Sequence, residues 1–315
     1  MTVPAPNLPF FITGPTASGK SGVAVALAGL TGGEVVNADS FQLYKGLDIL
    51  TAKPSASERR RVPHHLFDLL EPGEACDAQK YSDLAAPVIA GILARGRLPV
   101  VVGGSGLYIK ALSHGLASLP AGDEALRERL RAMSLEEKVR QLLELDPEAP
   151  GNVPLSNPRY VERALEICLL TGRPQSALRR TFEDSRPEGF GVVLTRDRDT
   201  LHQRINQRVI DMVREGALAE VAALHGDVGV ARAIGVRELR AHLAGEIRLE
   251  EAIAAMQQAT RRYAKRQGTW FRRETWLQTV CLDASATPES AARHLTDLFP
   301  CLKPKPSPPT PSTLT

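Results

Sequence analysis

LPFFITGPTASGKSGVAVALAGL, residues 8–30, is the stretch that decides the fold. Residues 8–13 are a short apolar run closed by Gly14, the pattern of a buried strand. Residues 14–21, GPTASGKS, fit GxxxxGK[ST], and the residues after them have helical composition and spacing. A glycine-rich loop between a strand and a helix turns successive backbone N–H groups and a helix N-terminus toward one anion. In that pattern Lys20 neutralises phosphate charge and the Ser21 hydroxyl ligates Mg²⁺. The motif specifies a grip on a di- or triphosphate, without saying which compound carries it.

Outward from the loop, strand and helix alternate. EVVNADS (34–40) and LPVVVGG (98–104) read as strands, and 83–94 and LYIKAL (107–112) as helices. That alternation predicts an α/β protein with a parallel sheet. From about 120 to 185 the patterns are helical with no strand, which predicts a helical insertion. FGVVLTRD (190–197) returns to strand composition, followed by helical stretches at 199–215, 246–273 and 287–298. The expected organisation is therefore core residues 1–118, an insertion 119–188, core again over 189–302, and a tail 303–315. The tail, rich in Pro, Ser and Thr, is expected to be disordered.

The 315 residues include 43% hydrophobic and 24% charged residues, an ordinary globular composition that excludes wholesale disorder and fibrous repeats. The four cysteines, Cys76, Cys168, Cys281 and Cys301, form no CxxC pair, which argues against a zinc ribbon and for reduced thiols. No apolar run reaches a membrane span and no signal-peptide pattern opens the chain, so a cytoplasmic protein without membrane contact is expected. The net charge is +3, with nine lysines among the 39 basic residues and arginine for the rest, so only local clusters can mark a polyanion site.

Asp39 ends the second strand, where open α/β sheets place their ligands. It suits a general base, a Mg²⁺ partner or an N-cap of the next turn. Ser105, in GGSGLY (103–108), lies in the same layer, either touching a substrate or simply closing a strand-to-helix turn. His64 and His65 are adjacent and so do not share a face, which disfavours a metal pair. ATRRYAKRQGTWFRRET (259–275) interleaves six basic residues with Tyr263, Trp270 and Phe271. That mixture suits nucleic acid, through phosphate attraction and base stacking, and equally suits a solvated helix face with its aromatics in the core. Arg204 and Arg208, four apart, share a helical face and can clamp a phosphate.

Taken together the motifs resemble the tRNA dimethylallyltransferases, or tRNA isopentenyltransferases, of bacterial type. The matching strings are GPTASGKS (14–21), ADSFQLYKGLDI (38–49), TAKP (51–54), PHHLFD (63–68), VVGGSGLYIKAL (101–112), NPRYVERALE (157–166), LHQRINQRV (201–209), AIGVREL (233–239) and TRRYAKRQGTWFRR (260–273). The resemblance implies a P-loop core related to nucleotide kinases, with a helical insertion that grips the anticodon stem-loop of tRNA. It implies transfer of a dimethylallyl group from dimethylallyl diphosphate to N6 of the adenosine 3′ of the anticodon, that base being flipped into a channel crossing the protein. Gly14, Thr16, Ala17, Ser18, Gly19, Lys20, Ser21 and Arg204 then hold the diphosphate, with Mg²⁺ on Ser21. Asp39 corresponds to the family's general base, and Ser105 to a Thr that hydrogen-bonds the target adenosine. The implied tRNA contacts are Asp39, Ser40, Phe41, Gln42, Ser105, Arg127, Arg159, Tyr160, Val161, Glu162, Arg163, Arg232, Gly235 and Arg237. The chain is expected to act as a monomer.

Three positions depart from the family pattern: Leu50 for a Gly before TAKP, Tyr160 for a basic residue, and Val236 for a Tyr after AIG. The Cys-His spacing of the zinc finger in eukaryotic relatives is absent. Two other functions start from the same loop: a P-loop kinase acting on a small molecule, and a tRNA-binding module with a vestigial loop. The insertion together with YAKRQGTWFR weighs against the first, and the presence of both Lys20 and Asp39 against the second.

Overall fold

The computed structural model describes residues 8–115, 123–178, 187–224 and 229–303. Six strands form one parallel sheet: β1 (Phe10–Thr13), β2 (Glu34–Asn37), β3 (His64–His65), β4 (Pro99–Gly103), β5 (Phe190–Thr195) and β6 (Leu277–Cys281), in the order β3-β2-β4-β1-β5-β6. β1, FFIT, is buried throughout because it lies between β4 and β5 with both faces covered, which is why it reads as one continuous apolar run.

Twelve helices are labelled in chain order: α1 (Lys20–Thr31), α2 (Ala56–Arg61), α3 (Ala78–Ala94), α4 (Gly106–His114), α5 (Glu124–Ala132), α6 (Leu135–Leu145), α7 (Pro158–Thr171), α8 (Arg198–Arg214), α9 (Ala217–Ala222), α10 (Val236–Leu243), α11 (Leu249–Phe271) and α12 (Pro288–Leu298). α1 packs on α12 over one face of the sheet, and their shared core includes Phe10, Ile12, Leu27, Val100, Val192 and Leu295. α8 packs along α11. No helix among the described residues is long and apolar enough to cross a membrane.

The chain divides into two compact units, one of residues 1–113 with 188–315 and the other His114–Pro187. The second unit is helical and has its own core of Leu130, Leu142, Val161, Leu165 and Cys168. It begins earlier than the expected boundary at 119, because α4 ends at His114. Position 119 itself and residues 304–315 of the expected tail lie outside the described residues.

Two strands were not expected from the sequence. β6, LQTVC, lies at the sheet edge with Gln278, Thr279 and Cys281 exposed, so it lacks the apolar run that marks the inner strands. β3 is only two residues long.

Candidate functional site

The loop between β1 and α1 is shaped by residues with positive φ. Gly14 has φ +136°, and a Cβ there would lie 2.2 Å from the Leu194 carbonyl oxygen, so the close approach of β1 to β5 demands glycine. Ala17 (φ 64°) and Gly19 (φ 99°), the N-cap of α1, complete the turn. Alternation of this kind folds backbone N–H groups into an anion-binding concavity.

Side chains from distant segments tie the loop down. Arg204 Nε donates to the Ala17 carbonyl at 2.9 Å, and Arg196 Nε to the Ser18 carbonyl at 3.0 Å. Gln267 accepts from the Thr16 amide at 2.8 Å and donates to the Gly104 carbonyl at 2.9 Å, bridging the phosphate loop to the end of β4. The Ser18 hydroxyl is buried without a partner among the described residues, and Ser21 is exposed at the start of α1. Arg196 and Gln267 were not singled out from the sequence. Arg196 follows a strand end, the position that marked Asp39, whereas nothing in the sequence reveals which way a glutamine in α11 points.

Lys20 lies on the wall of a cleft of about 880 Å³. Solvent reaches it through the cleft, yet protein surrounds its ammonium, and burial pulls its pKa down to about 8. The Asp39 carboxylate opposes that shift, and the Arg208 guanidinium adds to it. Burial, with Arg204 adding, likewise holds Arg208 below the usual arginine value, again against Asp39. Lys20, Arg208 and Asp39 thus form one electrostatic group. Of the two arginines that share a helical face, Arg208 joins this group and Arg204 braces the loop.

Asp39 does two things at once. Asn37, fully buried at the end of β2, accepts from the Asp39 amide at 2.9 Å and donates to the Asp39 carbonyl at 3.1 Å and the Leu66 carbonyl at 2.9 Å. So clamped, Asp39 accepts with Oδ1 from the Phe41 amide at 3.0 Å, capping the turn that follows. Its Oδ2 has no hydrogen-bond partner among the described residues. The carboxylate thus caps the turn with one oxygen and leaves the other open. Beside it, Ser105 Oγ accepts from the Ser40 amide at 3.0 Å. Burial, with Asp39 nearby, raises the Tyr263 pKa, so the phenol stays protonated.

Three cavities meet at this group. Lys20, Ser21 and Arg208 line both the open cleft and a small cavity of about 40 Å³. Thr16, Asp39 and Arg208 line both the small cavity and a third of about 180 Å³. The third is walled by Phe41, Leu50, Ile205, Val209 and Met256, with Arg232, Arg266 and Tyr263 also lining it. Asp39 lines the small cavity and the apolar one, and Arg208 lines all three. His64 lines the small cavity, with Nδ1 bonded to the Val62 carbonyl at 2.8 Å, while His65 pairs with Glu34 at 2.6 Å. The two rings have separate partners, and no cluster of metal ligands occurs among the described residues.

Several expected contact residues have structural duties in the described structure. Gln42 is buried and donates to the Thr51 and Ala52 carbonyls at 2.9 and 3.2 Å. Gly235 has no side chain to offer. It turns the chain into α10 with φ +105°, and a Cβ there would lie 2.7 Å from Leu50 Cδ2, so Leu50 fills the space beside it. Val236 is buried, leaving no exposed contact where the family has Tyr. In the second unit Val161 is buried in the core, Glu162 accepts from Lys138 at 2.6 Å, and Arg127 and Arg163 both pair with the buried Glu166. Arg159 and Tyr160 are exposed, as are Arg232 and Arg237, the latter pairing with Glu238 at 3.0 Å.

Comparison with known proteins adds an independent line. The sequence model of the IPP transferase family matches residues 42–274, and that of isopentenyl transferase residues 9–66. A tRNA dimethylallyltransferase of Geobacter metallireducens is 44% identical over 281 residues, 85% of this chain and 91% of the relative. One from Anaeromyxobacter sp. strain K is 47% identical over 277 residues, 84% and 89% of the two chains. Among solved structures, a tRNA isopentenylpyrophosphate transferase of Bacillus halodurans superposes with a TM-score of 0.67 at 36% identity, covering 94% of this chain and 97% of that one. A eukaryotic dimethylallyltransferase acting on tRNA gives 0.79 at 27% identity, covering 91% and 77%.

The depressed Lys20 pKa has a thermodynamic sign. A lysine whose folded pKa lies below its unfolded value of 10.5 destabilises the fold fully below pH 8, and the penalty is relieved as pH rises from 8 to 10.5. A shift of that size corresponds to about 3 kcal/mol at most. Lys20→Met is therefore expected to raise the melting temperature of the ligand-free protein at pH 7 by a few degrees, read by calorimetry. Affinity for pyrophosphate, measured by titration calorimetry, should fall in the wild type as pH rises through about 8. That step should be missing in Lys20→Met.

Proposed function

The chain belongs to the IPP transferase family, and on that premise we propose that it is a tRNA dimethylallyltransferase, moving a dimethylallyl group from dimethylallyl diphosphate to N6 of the adenosine 3′ of the anticodon. The observation that carries this reading is the position of Asp39, on the wall shared by a cavity reaching the phosphate loop and an apolar cavity with basic residues around it.

The donor's diphosphate belongs against residues 14–21, where Lys20, Arg208 and Arg204 meet its charge. Such charge compensation matters most as the C1–O bond breaks and diphosphate leaves with the electron pair. Ser21, with an exposed hydroxyl on the same cleft, suits Mg²⁺, which needs only one or two protein oxygens beside those of the substrate. The metal, when bound there, supplies further neutralisation of the leaving group.

The acceptor base belongs in the apolar cavity, extruded from the tRNA loop. The exocyclic amine attacks C1 of the donor, the N6–C1 bond forms, and the amine's proton passes to Asp39 Oδ2. Ser105, held by the Ser40 amide and adjacent to Tyr263, supplies a hydroxyl to orient the base. Exposed Arg232 and Arg266 on the same cavity, and Arg159 in the helical unit, suit tRNA phosphates. The acceptor supports a cytoplasmic location.

The deciding experiment follows label from radiolabelled dimethylallyl diphosphate into unmodified tRNA with adenosine 3′ of the anticodon, with Mg²⁺ and without ATP. Label should enter that tRNA and be lost when the adenosine is replaced by guanosine; no label with any such tRNA would overturn the reading. Asp39→Ala should lower kcat by about 10²–10⁴-fold with tRNA binding retained, checked by single-turnover kinetics and filter binding. Binding to tRNA should weaken steeply between low and moderate salt, and a flat response would remove the exposed arginines from the interface.

A further inference from the structure

Residues 48–54 are wall to all three cavities. Asp48 and Lys53 line the open cleft, Thr51 the small cavity, and Leu50 and Thr51 the apolar one. The segment is a run of turns outside helix and strand, so something other than a backbone ladder must hold it. Its amides at Asp48, Ile49 and Leu50 are three consecutive N–H groups, and all three donate to one carboxylate, Glu220 in α9, at 2.8, 2.7 and 3.0 Å. Convergent backbone donors of this kind are the arrangement that elsewhere cradles a phosphate. Hydrogen bonds to an ionised acceptor are about twice as strong as neutral ones.

The far end of the segment is pinned as firmly. The Lys53 side chain is 2% exposed, and its ammonium donates to the Tyr44 carbonyl at 2.6 Å, to Asp48 at 2.7 Å and to Asp68. Those three bonds use all three protons of the ammonium. Lys53 therefore braces the wall, although it lines the cleft.

Between the pins sits Thr51, whose carbonyl accepts from Gln42 at 2.9 Å and from Arg208 Nη2 at 3.5 Å. Arg208 belongs to the electrostatic group with Lys20 and Asp39. Leu50, whose own amide is bound by Glu220, packs its side chain beside Gly235.

We propose that Glu220 is a positioning residue for prenyl transfer. By fixing three amides it sets where the Thr51 carbonyl holds Arg208 beside the leaving diphosphate, and where Leu50 closes the acceptor cavity. Glu220 acts through the loop and touches no substrate. The inference rests on the proposed use of the cleft for the donor's diphosphate.

The test compares Glu220→Ala and Glu220→Gln with wild type as full-length chains, reading melting temperature, kcat, donor KM, tRNA affinity and affinity for inorganic pyrophosphate. In Glu220→Ala, pyrophosphate Kd and donor KM should rise about tenfold and kcat should fall about tenfold, the scale of losing a charged hydrogen-bond partner. The tRNA Kd should stay within about twofold. Sodium acetate should recover part of kcat/KM in Glu220→Ala and leave wild type unchanged, because a free carboxylate can enter the vacated N–H groups. Glu220→Gln keeps one oxygen for the Asp48 and Ile49 amides but turns an NH₂ toward the Leu50 amide, so it should fall between the two.

A lowered melting temperature with wild-type pyrophosphate affinity, KM and kcat in both variants would reduce Glu220 to a stability role and overturn the inference. If Glu220→Ala does not fold, Glu220→Gln decides in the same way. A wild-type protein that binds pyrophosphate but transfers no prenyl group to tRNA would instead overturn the proposed function. The Glu220 inference then stands or falls on pyrophosphate affinity alone.

Discussion

Lys20 is a cation enclosed by protein with one carboxylate, Asp39, favouring its charge and a second cation, Arg208, working against it. Most of what surrounds the three cavities can be understood as holding that group in place before an anion arrives. A phosphate loop bent through positive φ angles puts Lys20 at the start of α1. Asn37 clamps Asp39 at the end of β2, and the Thr51 carbonyl holds Arg208. Asp39 offsets only part of what it costs to enclose Lys20 and Arg208. On the proposed reading, an incoming diphosphate meets charges already oriented, so little reorganisation accompanies its binding or its departure.

The same economy shows in how single side chains serve two neighbours. Asp39 caps a turn with one oxygen and leaves the other without a hydrogen-bond partner among the described residues. Gln267 accepts from the Thr16 amide and donates to the Gly104 carbonyl, so one buried side-chain amide joins the phosphate loop to the end of β4. α11 illustrates how a basic, aromatic segment can be both core and surface. Ala264, Gln267 and Phe271 are buried, Arg262, Lys265, Arg266 and Trp270 are exposed, and Tyr263 lies between, at the apolar cavity. The aromatics of ATRRYAKRQGTWFRRET thus divide, Phe271 into the core and Trp270 onto the surface.

The residues that depart from the family pattern lie in different surroundings. Leu50 and Val236 are both buried, Leu50 beside Gly235 and Val236 the residue after it. Tyr160 is exposed at the start of α7, where a change of side chain leaves the core undisturbed.

What the sequence determined by itself is what local pattern encodes. The apolar runs of β1, β2, β4 and β5, the glycines of the phosphate loop and the strand-end positions of Asp39 and Ser105 follow from short-range periodicity and turn chemistry, which neighbouring residues suffice to express. Only the tertiary structure decided which side chains converge from far along the chain. Glu220 lies 170 residues or more from the three amides it binds, and Gln267 lies 251 from Thr16. Nor could local pattern assign Gln42, Val161 and Gly235 to packing, show that Arg208 sits with Lys20, or reveal β6, whose edge position leaves it half polar. A hydrogen bond between distant segments leaves no periodicity in either, because its geometry exists only once the sheet has brought their ends together.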